Sequence, residues 1–246
     1  MAQPLHRGAR RKSAERFPDC WGDIQINISR AIVGALALSA ALCGTARADF
    51  IFDLGTGNSD IAGFPGPYAQ VDVHLISATM ASITFTSLTN GGNIYLLGDG
   101  GTVAVNVNAA SWTLGTITGS NAGSGFSPGS FSDGGSGNED GFGSFNQTIN
   151  SFDGFTHSSD MVSFDLTDGS GTWASADSVL IGNASGNLAG AHIFVTSFPA
   201  NASNGAIVTG FASGSGNVPV PEPSSLALFS LSMFGLSFWA ARRRRK

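Results

Sequence analysis

The sequence predicts an all-β body, an antiparallel β-sandwich of jelly-roll type. It is set between an amino-terminal signal peptide and a single carboxyl-terminal transmembrane helix. Three observations carry this. Apolar and polar residues alternate with period two in several short runs of the middle of the chain, the pattern of half-buried strands. Glycine-rich turn signals separate those runs. All twelve lysines and arginines lie within Arg7–Arg47 or Arg242–Lys246, so no Lys or Arg stands between Asp49 and Ala241.

Residues 1–48 read as the signal peptide. Arg30 precedes the run AIVGALALSAALCGTARA, and the small residues Ala46 and Ala48 place cleavage after Ala48. The apolar part, Ala31–Leu42, is too short to cross a hydrocarbon core of about 30 Å as a helix. One alternative is a buried core helix. Another is a lipoprotein signal at Cys43, against which Leu42 occupies a position where such signals need a small residue. Met1–Ser29 is long for the leading part of a signal and carries Glu15, Asp19 and Asp23, which fits an over-extended start with initiation close to Arg30. The expected partners here are the Sec translocon and signal peptidase. Both cysteines, Cys20 and Cys43, precede the cut. The mature chain then has no disulfide, no thiolate nucleophile and no cysteine metal site.

Residues 49–213 form the expected sandwich. In QVDVHLIS, Val71, Val73 and Leu75 alternate with Asp72 and His74. ASITFTS sets Ile83 and Phe85 against Ser82, Thr84 and Thr86. TVAVNVN and MVSFDLT repeat the pattern with Val103, Val105 and Val107, and with Val162, Phe164 and Leu166. Turns are signalled at Asn90-Gly91-Gly92, Asp99-Gly100-Gly101 and Asp168-Gly169. No run has a helical period, and the length suffices for a substantial core. Gly119–Ser144 reads as one long Gly/Ser-rich loop. GFASGSGNV, Gly210–Val218, reads as a flexible tether, with the spacer proper at residues 214–220.

Charge narrows the chemistry. Fourteen carboxylates between Asp49 and Glu222 face no internal cation, which excludes nucleic acid as a partner. It also leaves no basic side chain to clamp a phosphate or a substrate carboxylate. Gly125-Phe126-Ser127-Pro128-Gly129 matches G-x-S-x-G, but its flanks are Gly/Ser-rich rather than strand and helix, so it reads as loop. His74, His157 and His192 have no metal-ligand spacing. Asp72 and His74 share one strand face, as an acid–base or metal pair or as two solvated side chains. Trp112 and Trp173 sit in strand-like runs and read as core rather than as sugar platforms. The densest set of oxygens is Asp133, Asn138, Glu139 and Asp140. Calcium, which accepts irregular oxygen shells, is the one candidate cofactor, and a solvated acidic loop is the alternative.

Residues 221–246 close the chain. Pro221-Glu222-Pro223 precedes the uncharged stretch 224–241, roughly 27 Å as a helix and enough to span a bilayer. Arg242, Arg243, Arg244 and Arg245, with Lys246, then hold the end on the cytoplasmic side as a topological stop. Pro219, Pro221 and Pro223 lack amide protons and keep the flank extended and open to a protease. This arrangement of Pro-Glu-Pro, spanning helix and terminal arginines resembles the PEP-CTERM sorting signal, also known as the ice-binding protein C-terminal domain. The resemblance covers Val218–Arg245 and implies a Gram-negative, exopolysaccharide-making bacterium. It also implies processing near Pro221, Glu222 and Pro223 by an exosortase, a membrane cysteine protease. Such a tail is an address shared by unrelated bodies, so the second name carries no function to this one.

The expected protein is therefore exported. It is first anchored transiently in the inner membrane, then delivered to the cell envelope, surface or extracellular matrix, and is non-enzymatic and associated with exopolysaccharide. The alternatives are a carbohydrate-binding module, for which an exposed tryptophan pair would speak, and a secreted hydrolase, for which two carboxylates in one cleft would speak.

Overall fold

The computed structural model describes residues 48–216. They form fourteen strands and three short 3-10 turns. In chain order the strands are β1 (Phe50–Leu54), β2 (Thr56–Gly57), β3 (Ala69–Leu75), β4 (Met80–Ser87), β5 (Thr89–Asn90), β6 (Asn93–Leu97) and β7 (Asp99–Val105). β8 (Trp112–Leu114), β9 (Thr118–Ser120), β10 (Ser132–Glu139), β11 (Gly143–Ser151), β12 (Met161–Asp168), β13 (Ala189–Ser197) and β14 (Val208–Gly214) follow. All pairings between these strands are antiparallel.

The first sheet runs β1-β3-β4-β12-β8, with β9 also on β12. Here the period-two runs behave as their pattern dictates. Phe52, Val71, Phe85 and Val162 stand opposite one another across four strands, as do Phe50, Val73, Ile83 and Phe164. All eight are buried, so one register puts them together on the inner face, while Ile51 and Met161 fall on the outer one. The outer face is polar, with Thr84 Oγ1 and Ser163 Oγ 3.0 Å apart across the β4–β12 pair. The predicted Asp168-Gly169 turn is closed by the Asp168 carboxylate, which accepts from the amides of Ser170 and Gly171 at 2.8 and 2.9 Å.

The second sheet runs β10-β11-β7-β13-β14-β2, with β6 on β13 and β5 on β6. Its inner residues, among them Val103, Val105, Ile149, Ile193 and Val195, share one hydrophobic core with the first sheet. Two packed antiparallel sheets around one core make the body a β-sandwich. Tyr68 and Tyr95 meet edge to face at 4.9 Å inside it. Their hydroxyls donate to the carbonyls of Phe64 and Pro65, which pins the 58–68 segment over the core.

The outer face of the second sheet departs from simple alternation. Leu96, Phe194 and Ala200 are covered by Ile94, Phe126 and Phe155, and a second group gathers Ala104, Phe142, Phe145 and Phe211. Strand β13 is consequently buried on both faces over most of its length.

Residues 119–144 do not form the single long loop expected from their composition. The Ser132–Glu139 part is strand β10, paired along β11, and Gly143 already belongs to β11. Glycine is used for close approach: a Cβ on Gly134 would lie 2.3 Å from Thr148 Oγ1. The same reason moves the start of the tether. Gly210–Gly214 belongs to β14, and a Cβ on Gly214 would stand 2.4 Å from the Asp53 carbonyl oxygen.

Candidate functional site

Ala46, Pro221, Glu222, Pro223 and Arg242–Arg245, with the expected helix 224–241, lie outside the described residues. Among the described residues no helix is long and apolar enough to cross a membrane. Ala48 is the first described residue and is half-buried. Directly after it, Asp49 Oδ1 meets His74 Nδ1 at 2.5 Å on the outer face of the first sheet. His74 therefore pairs with Asp49. Asp72, the partner its sequence spacing offered, keeps one carboxyl oxygen buried without a hydrogen bond. Burial holds the Asp72 carboxyl above its ordinary range, the Asp49 charge adds to this, and His74 offsets part of it.

The structure sets Asp133 apart from the consecutive residues Asn138, Glu139 and Asp140, and buries Glu139 between its two exposed neighbours. Asp133 and Glu139 occupy opposite ends of β10, on the order of 20 Å apart at strand spacing. Asp133 Oδ1 accepts from the Gly135 amide and from Gln147 Nε2, both at 2.8 Å. Gln147 in turn accepts from Trp112 Nε1 at 2.9 Å. That relay ties β8 of one sheet to β10 and β11 of the other. Asn138 and Asp140 are exposed. No group of three or more His, Cys, Asp or Glu side chains is placed to hold a metal ion among the described residues.

Glu139 is the unusual member. It is 1% exposed, and neither carboxyl oxygen has a hydrogen-bond partner. Its carboxyl lies against the Cα of Gly101, where φ is +67° and a Cβ would fall 2.2 Å from Oε1. Gly190 and Phe145 complete the enclosure. Burial raises its pKa from 4.5 to about 8, so at neutral pH the group is held as the acid.

The remaining polar candidates have structural partners. His192 Nδ1 is 3.1 Å from the Gly100 carbonyl, which can only accept, so Nδ1 carries the proton. Nε2 lies 2.6 Å from Thr209 Oγ1, and the ring stacks on Phe211 at 4.5 Å. Burial lowers its pKa. His157 ends a 3-10 turn, Phe155–His157. Ser127 has neither strand before it nor helix after it, and its amide donates to Thr156 O. Trp173 is buried, with Nε1 donating to Asn108 O, and Trp112 is half-buried, so neither offers an open stacking face.

What sequence reasoning missed is a lateral cavity of about 710 Å³ beside the end of β13. Ile94, Phe198 and Pro199 give it an apolar side, and Asn121, Asp160, Asn201 and Asn204 a polar one. Most of the polar groups are fixed. Asp160 accepts from Ser120 Oγ at 3.1 Å and from the Ala122 amide at 2.6 Å. Asn121 donates to Ser158 O, and Asn201 Oδ1 accepts from Ser203. Its sequence signal is the Phe198-Pro199 pair, set between Ser197 and Ala200-Asn201. A second cavity, about 420 Å³, lies beside β1 and β14.

A family model for the PEP-CTERM protein-sorting motif matches residues 219–245. The chain carries this sorting motif. The match takes in Pro221, Glu222 and Pro223 and ends on Arg245. A PEP-CTERM motif marks an exported precursor, anchored at the membrane and sorted to the cell surface, with exosortase as its processing partner. No curated protein and no solved structure matches the chain. The role of the sandwich thus rests on its own residues.

Proposed function

We propose that the protein is a non-enzymatic component of the extracellular matrix or cell envelope of a Gram-negative bacterium, associated with exopolysaccharide. The observation that carries this is the PEP-CTERM motif at the end of an exported body. The body's composition supports it. Thirteen carboxylates and no Lys or Arg between Asp49 and Gly216 make a surface that repels anionic partners and relies on hydroxyls and amides for contact. His74 pairs with Asp49 on the surface, His192 is held by packing and the Gly100 carbonyl, and Ser127 bonds the backbone, so these groups are spread over the body.

The second reading, a carbohydrate-binding module, is favoured by the lateral cavity rather than by the tryptophans, which are taken up in packing. Fractionation of the native organism with mass spectrometry tests the main reading. The mature protein is expected in the polysaccharide-rich matrix or outer envelope fraction. Recovery solely from the periplasm would refute it.

A further inference from the structure

We propose that the lateral cavity beside β13 binds a neutral glycan, with the ring of Phe198 as its platform. This rests on the matrix reading and gives it a site. Phe198 is 58% exposed although its backbone is anchored, its amide donating to Gly92 O at 3.0 Å. An aromatic ring on an anchored backbone and left open to water gains by covering its face. The volume of about 710 Å³ falls inside the range of small-ligand sites, about 300–1,000 Å³.

The lining selects the ligand class. An anion would meet Asp160 with no Lys or Arg between residues 49 and 241 to balance it. Phosphates and uronates are therefore disfavoured. A wholly apolar ligand would desolvate Asp160 and three amide side chains without offering them a hydrogen bond. A neutral sugar ring avoids both costs. Its C–H face covers Phe198, and its rim hydroxyls donate to Asp160 and accept from asparagine amides. Hydrogen bonds already hold Asp160, Asn121 and the Asn201 oxygen in place. The Asn201 Nδ2 group and the Asn204 amide have no side-chain hydrogen bond among the described residues and are free to donate to the ligand.

The test is calorimetric titration of the full chain in detergent with maltohexaose, cellohexaose and mannohexaose, and with an oligogalacturonate as the anionic control. At least one neutral hexasaccharide should bind, and the uronate should not. Phe198→Ala should weaken binding about tenfold or more, Phe198→Tyr should restore it, and Asn204→Ala should weaken it without altering the melting temperature. No neutral hexasaccharide binding, equal binding of the uronate, or unchanged affinity in Phe198→Ala each overturns the proposal. Matrix retention of the exported protein separates the two levels. Wild-type protein missing from the matrix fraction defeats the matrix reading. Wild type retained there, with Phe198→Ala retained equally, defeats the cavity alone.

Discussion

Glu139→Gln should change how stability depends on pH. The wild-type carboxyl is enclosed by Gly101, Gly190 and Phe145 with no hydrogen-bond partner and no internal Lys or Arg to pair with. Its pKa rises from 4.5 to about 8 on folding. The folded state therefore binds the proton more tightly than the unfolded chain does. The contribution to stability is complete below the unfolded value and is lost as pH rises towards and through the folded value. Each tenfold change in the ionisation equilibrium is about 1.4 kcal/mol, so the loss is about 3 kcal/mol at pH 7 and about 5 kcal/mol at pH 9. Glutamine keeps the shape and cannot ionise. Urea denaturation of both proteins at pH 5, 7 and 9 reads the difference. At pH 5 they should agree within about 1 kcal/mol, since both side chains are neutral or nearly so and equally short of partners. At pH 9 the variant should be more stable by about 5 kcal/mol. A stability difference that is the same at all three pH values would refute the argument.

Gly214→Ala should destabilise the body by about 1–3 kcal/mol, because its Cβ would meet the backbone oxygen of Asp53 at 2.4 Å; a melting curve like that of the wild type would count against the close approach. Millimolar Ca²⁺ and Mg²⁺ should give coincident melting curves, since Asp133 and Glu139 stand at opposite ends of β10; a selective rise with Ca²⁺ would show that the acidic stretch binds the ion after all. Replacing Arg242–Arg245 with alanine should let part of the precursor slip through the membrane and mis-sort, as seen by fractionation; unchanged processing would argue against a topological stop.

The first sheet was legible because one of its faces meets water. Val71, Val73, Ile83 and Phe85 alternate with polar residues, and the structure buries each of them. The second sheet was less so. Its outer face is covered by Phe126, Phe142 and Phe155 from distant segments, which blurs the alternation in β6 and β13. Strand β10 was illegible because SDGGSGNE has the composition of a loop. Its glycines make room for Thr148 and Asn150, a requirement set by the partner strand and invisible locally. Glu139 read as a calcium ligand or as part of a solvated acidic loop for the same reason, because nothing nearby in sequence announces Gly101 and Gly190 closing over it. The sorting motif was fully legible because it is linear: its meaning lies in the order of Pro-Glu-Pro, apolar segment and arginines.

We expect an exported protein cut at both ends, which the intact mass of the mature protein from its native envelope reads in one measurement. That mass should correspond to a chain that begins at Asp49 and ends near Pro221-Glu222-Pro223, without the segment 224–246. In Glu222→Ala the amino terminus should be unchanged while the segment 224–246 is retained. A wild-type protein that keeps Arg242–Lys246, or a Glu222→Ala variant processed like the wild type, would contradict it.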